Sequence, residues 1–311
     1  MRKILIAMLL PVFLVSCNEM SQTTQSEITL APQISCMETR GYVEGTTMDD
    51  SDGGATRVIY LSAYDKTNTR DYFVGCTFKK DATDWRSYEE SMLAPKYWPI
   101  DHTLNFLAYS VASSAPTAVW NTQGATTGLD LYVGRESLQD DILIAAAAER
   151  KNSADPMCMT FSHTQAWVEY EIQAVDMPEV TIADVTIKSV YSTGQFSVEN
   201  YDATLIGKWD FSGATAADCK VVPAGSSTIA ASSAEKVKVS ALMPAQSAQE
   251  AVISYKAGGI YKTTTIGMKV PVWEMGTHYI YKVTISPLLT RAGENVATGE
   301  NVEVELLQKP W

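Results

Sequence analysis

The chain of 311 residues is poor in positive charge: 24 Lys and Arg stand against 36 Asp and Glu, giving a formal net charge of -12 and a pI near 4.8. No basic cluster stands out, which excludes nucleic acid as a partner, because phosphate recognition needs grouped Lys and Arg. Histidine is scarce as well. His102, His163 and His278 are scattered without a second ligand at helical spacing, so each reads as a strand or loop residue rather than a metal ligand. There is no Gly-x-Ser-x-Gly nucleophile elbow and no glycine-rich loop for a dinucleotide or phosphate. Enzyme chemistry has no anchor, and no catalytic residue, metal or cofactor is expected.

The nearest approach to a metal loop is Met48-Asp49-Asp50-Ser51-Asp52-Gly53. Asp50, Asp52 and Gly53 fall at the third, fifth and sixth places of an EF-hand loop, but Met48 holds the first place and Ile59 the twelfth, where a bidentate Glu is required. A solvated acidic loop is the better reading. Cysteine is also sparse. Apart from Cys17, the chain carries Cys36, Cys76, Cys158 and Cys219, which permit two disulfides but lack the close spacing of a zinc or redox motif.

Long hydrophobic runs are confined to the start. Arg2 and Lys3 precede an apolar run from Ile4 to Val15, the pattern of an export signal and too short for a mature membrane span, which needs about 20 apolar residues. Leu14-Val15-Ser16-Cys17 resembles a bacterial lipobox, which implies lipid on the Cys17 thiol, attachment to the outer membrane through that lipid, and a mature chain starting at Cys17. Loss of Arg2 and Lys3 with the signal takes the formal charge from -12 to -14. The expected organisation is a signal peptide over 1–16, a polar tether over 17–26, an N-terminal domain over 27–155 and a C-terminal domain over 156–311, with the break at Asn152, Asp155 and Pro156.

What is abundant is strand pattern. Glu27–Cys36, Arg57–Asp65, Asp71–Phe78 and Leu104–Ala112 are rich in β-branched and aromatic residues, and the second half is a series of short alternating segments punctuated by Gly, Pro, Ser and Asp. An all-β architecture of tandem β-sandwich-like domains follows. Two segments are ambiguous. Asp140–Lys151, with acidic residues before an alanine run and basic residues after it, fits a short helix or a strand. Thr83–Leu93 has weak helical character or is an extended surface excursion.

The last strand-like segment alternates Val302, Val304 and Leu306 with Glu303 and Glu305, the pattern of a half-buried strand. Its partner is either a sheet edge of its own chain or a groove in a neighbouring molecule. Trp85, Tyr97 and Trp98 form an aromatic group that either fills a β-core or stacks on sugar rings.

Several motifs occur in a telling order. Tyr97-Trp98-Pro99 is followed by Leu104-x-Phe106-x-Ala108-Tyr109; Phe161-x-His163 leads to Val168; Leu242-x-Pro244-x-Gln246 precedes Trp273-x-x-Gly276-x-x-Tyr279-x-Tyr281. In this order and spacing they resemble the fimbrillin family of Bacteroidetes, the subunits of type V pili. Thr164 and Trp167 depart from the usual smaller residues there. The resemblance implies two transthyretin-like β-sandwich domains, export as an outer-membrane lipoprotein, and cutting by a surface protease after a basic residue beyond the first strand. Arg40, followed by Gly41, holds that place, with Arg57 as second choice. It further implies that Val302, Val304 and Leu306 belong to a donor strand inserted into the groove of another pilin subunit, so that the chain is a stalk or accessory subunit of an adhesive fimbrium. A Cys36–Cys76 disulfide would retain the cut segment, and is expected to be absent. The competing reading is a surface lipoprotein that binds glycans or host ligands through the aromatic group without polymerising.

The lipidation reading predicts that Cys17→Ser abolishes partition of the protein into the detergent phase of a Triton X-114 extraction while leaving its fold unchanged; partition equal to that of the parent chain would refute it.

Overall fold

The computed structural model describes residues 25–34, 57–81, 84–90, 92–111, 117–121, 128–133, 141–177, 179–198, 207–223, 227–229, 235–287 and 300–310. Among these residues every regular element is a strand. The first ten are β1 (Leu30–Ile34), β2 (Val58–Asp65), β3 (Arg70–Asp81), β4 (Asp84–Glu89), β5 (Met92–Leu93), β6 (Leu104–Val111), β7 (Thr117–Asn121), β8 (Gly128–Val133), β9 (Leu143–Arg150) and β10 (Met157–His163). Eight of them form one sheet in the order β1-β10-β9-β6-β2-β3-β4-β5. A pairing of β1 with β4 closes seven of these strands into a ring.

The ring is filled by Ile28, Leu30, Ile59, Leu61, Phe78, Trp85, Trp98, Phe106, Met159 and Phe161, all of them buried. Three of its strands are buried on both faces. Ile59, Leu61 and Ala63 of β2, Phe106 and Ala108 of β6, and Leu143, Ala145 and Ala147 of β9 point into the ring. Tyr64, Leu107, Tyr109 and Ile144 point out, against a second core shared with Leu129, Leu131, Phe196 and Val198. A strand covered on both sides has no polar face to alternate with, so it reads as an unbroken apolar run. This settles the segment over 140–151: its alanines lie in a strand, where their small side chains fit a wall packed on both faces. In the second ambiguous segment, Asp84–Glu89 and Met92–Leu93 are likewise extended, as β4 and β5.

The remaining strands are β11 (Gln165–Ala174), β12 (Val180–Val190), β13 (Gly194–Val198), β14 (Gly207–Asp210), β15 (Ala217–Val221), β16 (Thr228–Ile229), β17 (Val237–Pro244), β18 (Gln246–Ser247), β19 (Ala251–Ala257), β20 (Ile260–Ile266), β21 (Val272–Trp273), β22 (Thr277–Pro287) and β23 (Glu300–Pro310). The sheets β17-β11-β22-β23 and β15-β12-β19-β20 enclose a third core around Tyr170, Tyr255, Trp273 and Tyr281. The sheet β14-β13-β8-β7 joins chain segments from both halves and covers the outside of the ring.

The break at Asp155 and Pro156 is not where the chain changes sheets. β10, which follows it, hydrogen-bonds to β1 and β9 of the ring, and the passage to the other sheets comes at Thr164. That residue's N–H and hydroxyl both donate to the Ile142 carbonyl at 3.0 Å, and its own carbonyl accepts from Trp209 Nε1 at 2.6 Å. Gln165 continues the junction, accepting from the Ile142 N–H through its side chain and from Gly276 N–H through its carbonyl.

Trp98 is 1% exposed and meets Phe106 edge-on at 5.5 Å. Trp98→Ala therefore empties the middle of the ring, with an expected cost of about 3 to 5 kcal/mol in denaturant unfolding; a loss below about 1 kcal/mol would show that the ring collapses to fill the space.

Candidate functional site: the seat of the first strand and the edge of the last

β1 is what closes the ring, and its sequence explains how. Ile28, Leu30 and Pro32 alternate inward and are buried, whereas Ala31 and Gln33 are exposed. On one side β1 runs parallel to β10 in continuous register from Leu30↔Met157 to Ile34↔Phe161, extended by Met157 N–H donating to the Thr29 carbonyl at 2.8 Å. On the other side the hold is short: Leu30↔Trp85 in β4, then a bridge at Glu27↔Tyr97 with Ile28 N–H donating to the Lys96 carbonyl and Trp98 N–H to the Ser26 carbonyl. Alternation turns the backbone groups of Ser26, Ile28, Leu30 and residue 32 toward this side. Proline at 32 thus brings no N–H to the side where pairing with β4 has ended, the placement that a strand tolerates.

One charged pair fastens the same side. Arg86 Nε donates to Glu27 Oε1 at 3.0 Å and its Nη2 to Oε2 at 2.5 Å, a two-point contact that fixes orientation as well as charge. The hydrogen bond to Glu27 pushes the guanidinium's already high pKa further up. Asp81 adds a longer contact at 3.6 Å. Neither Glu27 nor Arg86 stood out in the sequence, where they are 59 positions apart.

The segment with Val302, Val304 and Leu306 is β23. It pairs with β22 antiparallel over its whole length, Thr277↔Pro310 to Pro287↔Glu300, and ends its sheet, so that among the described residues its other edge meets no strand. The three aliphatic residues pack on the third core yet remain only partly buried, and Val302 and Val304 line a groove with Ile266, Gly267 and Met268. Glu303 and Glu305 point the other way. Glu305 lies 3.7 Å from Lys282 Nζ, and Glu303 accepts from Asn301 Nδ2 at 3.2 Å.

The outer face of this sheet carries a charge network. Burial raises the Glu171 carboxyl's pKa, but hydrogen bonds from Lys238 at 2.8 Å and Lys236 at 3.0 Å outweigh it and hold the group at about 2. Glu169 also lies below its ordinary range, chiefly through His278, whose ring stacks on Trp167 at 3.8 Å.

The other expected site residues are dispersed. Cys17, Cys36, Arg40, Gly41 and the acidic segment over 48–54 lie outside the described residues. Arg57 is buried, with Nη2 donating to Asp141 Oδ2 at 2.9 Å, and His163 Nδ1 lies 2.7 Å from the same carboxylate. Trp85 and Trp98 are core residues whose faces are covered, so they form no stacking platform with Tyr97, the one exposed ring of the group. No disulfide joins the described cysteines Cys76, Cys158 and Cys219. Among the described residues no group of three or more His, Cys, Asp or Glu is placed to hold a metal.

The motifs that carried the resemblance are structural fastenings. Gln246 exchanges two hydrogen bonds with the Tyr191 backbone at 2.8 and 3.0 Å. Buried Trp273 donates to the Tyr281 hydroxyl, the Tyr279 hydroxyl accepts from Glu274 N–H, and Gly276 turns the chain between them at a φ of 64°, a conformation that glycine adopts without strain.

A fimbrillin-like family model matches residues 43–311. This chain belongs to the fimbrillin-like family. Membership places it among structural rather than catalytic proteins. Among solved structures, a candidate cell adhesion protein from Bacteroides ovatus is similar at 14% identity and a TM-score of 0.56, covering 93% of this chain and 98% of that one. Another, from Bacteroides uniformis, is similar at 15% identity and a TM-score of 0.55, covering 90% and 97%. At this identity the likeness bears on the fold. No curated relative matches the sequence.

Because Glu171 is held at about 2, below its ordinary 4.5, its contribution to stability is complete above about 4.5 and is lost as pH falls toward 2. Glu171→Gln is expected to flatten the fall in thermal midpoint over that window relative to the parent; an unchanged acid dependence would show that the lysine contacts contribute nothing there.

Proposed function

We propose that this fimbrillin-like chain is a structural or accessory subunit of an adhesive cell-surface pilus, exported as a lipoprotein through Cys17, cut after Arg40, and polymerised when β23 of one subunit replaces β1 of the next. The observation that carries the proposal is the contrast between the two strands. β1 fills a seat lined on both sides, closing the ring by a short pairing, while β23 is held along one edge with its aliphatic residues half covered.

The energetics favour exchange once β1 has been severed. Transfer of Val302, Val304 and Leu306 from partial to full burial contributes a share of the roughly 1.5 to 3 kcal/mol that complete burial of such a side chain is worth. A second hydrogen-bonded neighbour adds about 1 kcal/mol per bond. Before cutting, β1 returns to its seat as part of the same chain, at an effective concentration in the mM range that a separate subunit does not match. After cutting it competes as a free segment. A head-to-tail contact of this kind does not close on itself and propagates as a filament.

Cutting after Arg40 suits this scheme better than cutting after Arg57, whose buried guanidinium is engaged by Asp141 and whose following residue begins β2. The finer architecture of tandem transthyretin-like sandwiches, the surface protease and the outer-membrane attachment belong to the same proposal.

After digestion with an Arg-specific protease, the lipid-free protein is expected to show a mass change corresponding to cleavage at Arg40 and an unboiled-gel ladder that collapses on boiling. Removing residues 300–311 should leave the cut intact and abolish the ladder. A ladder from the shortened chain would overturn donation by β23.

A further inference from the structure

β1 and β23 share a four-residue pattern. Glu27-Ile28-Thr29-Leu30 leads into the first strand, and Glu303-Val304-Glu305-Leu306 lies in the last. At the first strand every place in the pattern has its own contact or direction. Glu27 meets Arg86, Ile28 and Leu30 fill the ring, and the residue between them turns away from the core. In β23 the corresponding Glu303 is exposed and hydrogen-bonds only within its own strand, to Asn301, while Val304 and Leu306 lie half covered.

Resting on the strand-exchange reading above, we infer that the incoming β23 of a second copy runs in β1's own direction, with Glu303 on Arg86 and with Val304 and Leu306 in the seats of Ile28 and Leu30. Arg86 is then the residue that sets register. It loses Glu27 when β1 departs and takes Glu303 in its place.

Other alignments fit the seat less well. Moving the donor two residues one way sets Glu305 on Arg86 but drives the Gln308 amide into the seat of Leu30, which is 1% exposed. Moving it two residues the other way offers Arg86 the uncharged Asn301. Reversing its direction also allows Glu305 to reach Arg86 with Val304 in the first seat, but then Val302 occupies the place of Leu30 and leaves it a methylene short. In the inferred register Gln308 takes the inward, buried place of Pro32, beyond the last pairing with β4, which leaves both Ile28 and Leu30 replaced by aliphatic residues, and the donor brings an N–H that β1 lacks.

The test uses the mature chain cut after Arg40, with single Glu303→Gln and Glu305→Gln changes. Both remove one negative charge from the same exposed strand face, so any general electrostatic effect is shared. Polymers are diluted into detergent buffer, and the lifetime of the ladder is followed. Glu303→Gln is expected to shorten that lifetime about tenfold and Glu305→Gln to leave it within about twofold of the parent. Equal effects, or a larger effect at Glu305, would overturn the register and direction. If the parent polymerises and Glu303→Gln matches it, only this inference falls; if the cut parent does not polymerise at all, the strand-exchange reading falls and takes the inference with it.

Discussion

The closure of the N-terminal ring by β1 is the constraint on which the rest depends. Six strands, from β10 round to β4, form a curved wall whose apolar face is enclosed only when a seventh lies between its ends. That strand is held by unlike means on its two sides: a continuous parallel ladder on β10, and on the other side one residue pair with β4, one bridge to Tyr97 and the Glu27–Arg86 contact. Leu30 and Ile28 are fully inside. Removing them would expose Trp85, Met159 and Phe161 together, a contiguous apolar surface bounded by unpaired backbone, which is a strong invitation to another strand.

The ring's other constraint comes from outside. The sheet shared by β7, β8, β13 and β14 covers β2, β6 and β9, so these strands are packed on both faces and cannot shift without disturbing two cores. The Thr164–Gln165 junction, with the buried Arg57–Asp141–His163 cluster beside it, ties this covered wall to β11. The consequence is mechanical. β1 sits at the opening of a wall that is otherwise fixed, so its departure need not propagate into the rest of the fold. β23 lies on a sheet edge, with one flank that meets no strand among the described residues.

Much of the strand content was legible because half-buried strands alternate. β23, β19 and β17 carry that period openly, and so does β1. The doubly covered strands were harder: the alanine run of β9 satisfies helix and strand patterns alike, and the arbiter is the sheet built from β7, β8, β13 and β14. The aromatic group at 85–98 was similarly undecided, since a Trp that fills a core and one that faces a sugar have the same neighbours in sequence. Burial decided for Trp85 and Trp98.

By itself, the sequence determined the acidic character, the strand-rich class and the ordered motifs of a fimbrillin-like chain, because each is a property of composition or of residues near one another along the chain. Tertiary structure alone decided that β1 closes a ring, that β10 belongs to it, that Arg86 answers Glu27, and that β23 rests on an edge. Those are pairings between distant segments, and a strand's own pattern says which face is apolar but not which neighbour will cover it.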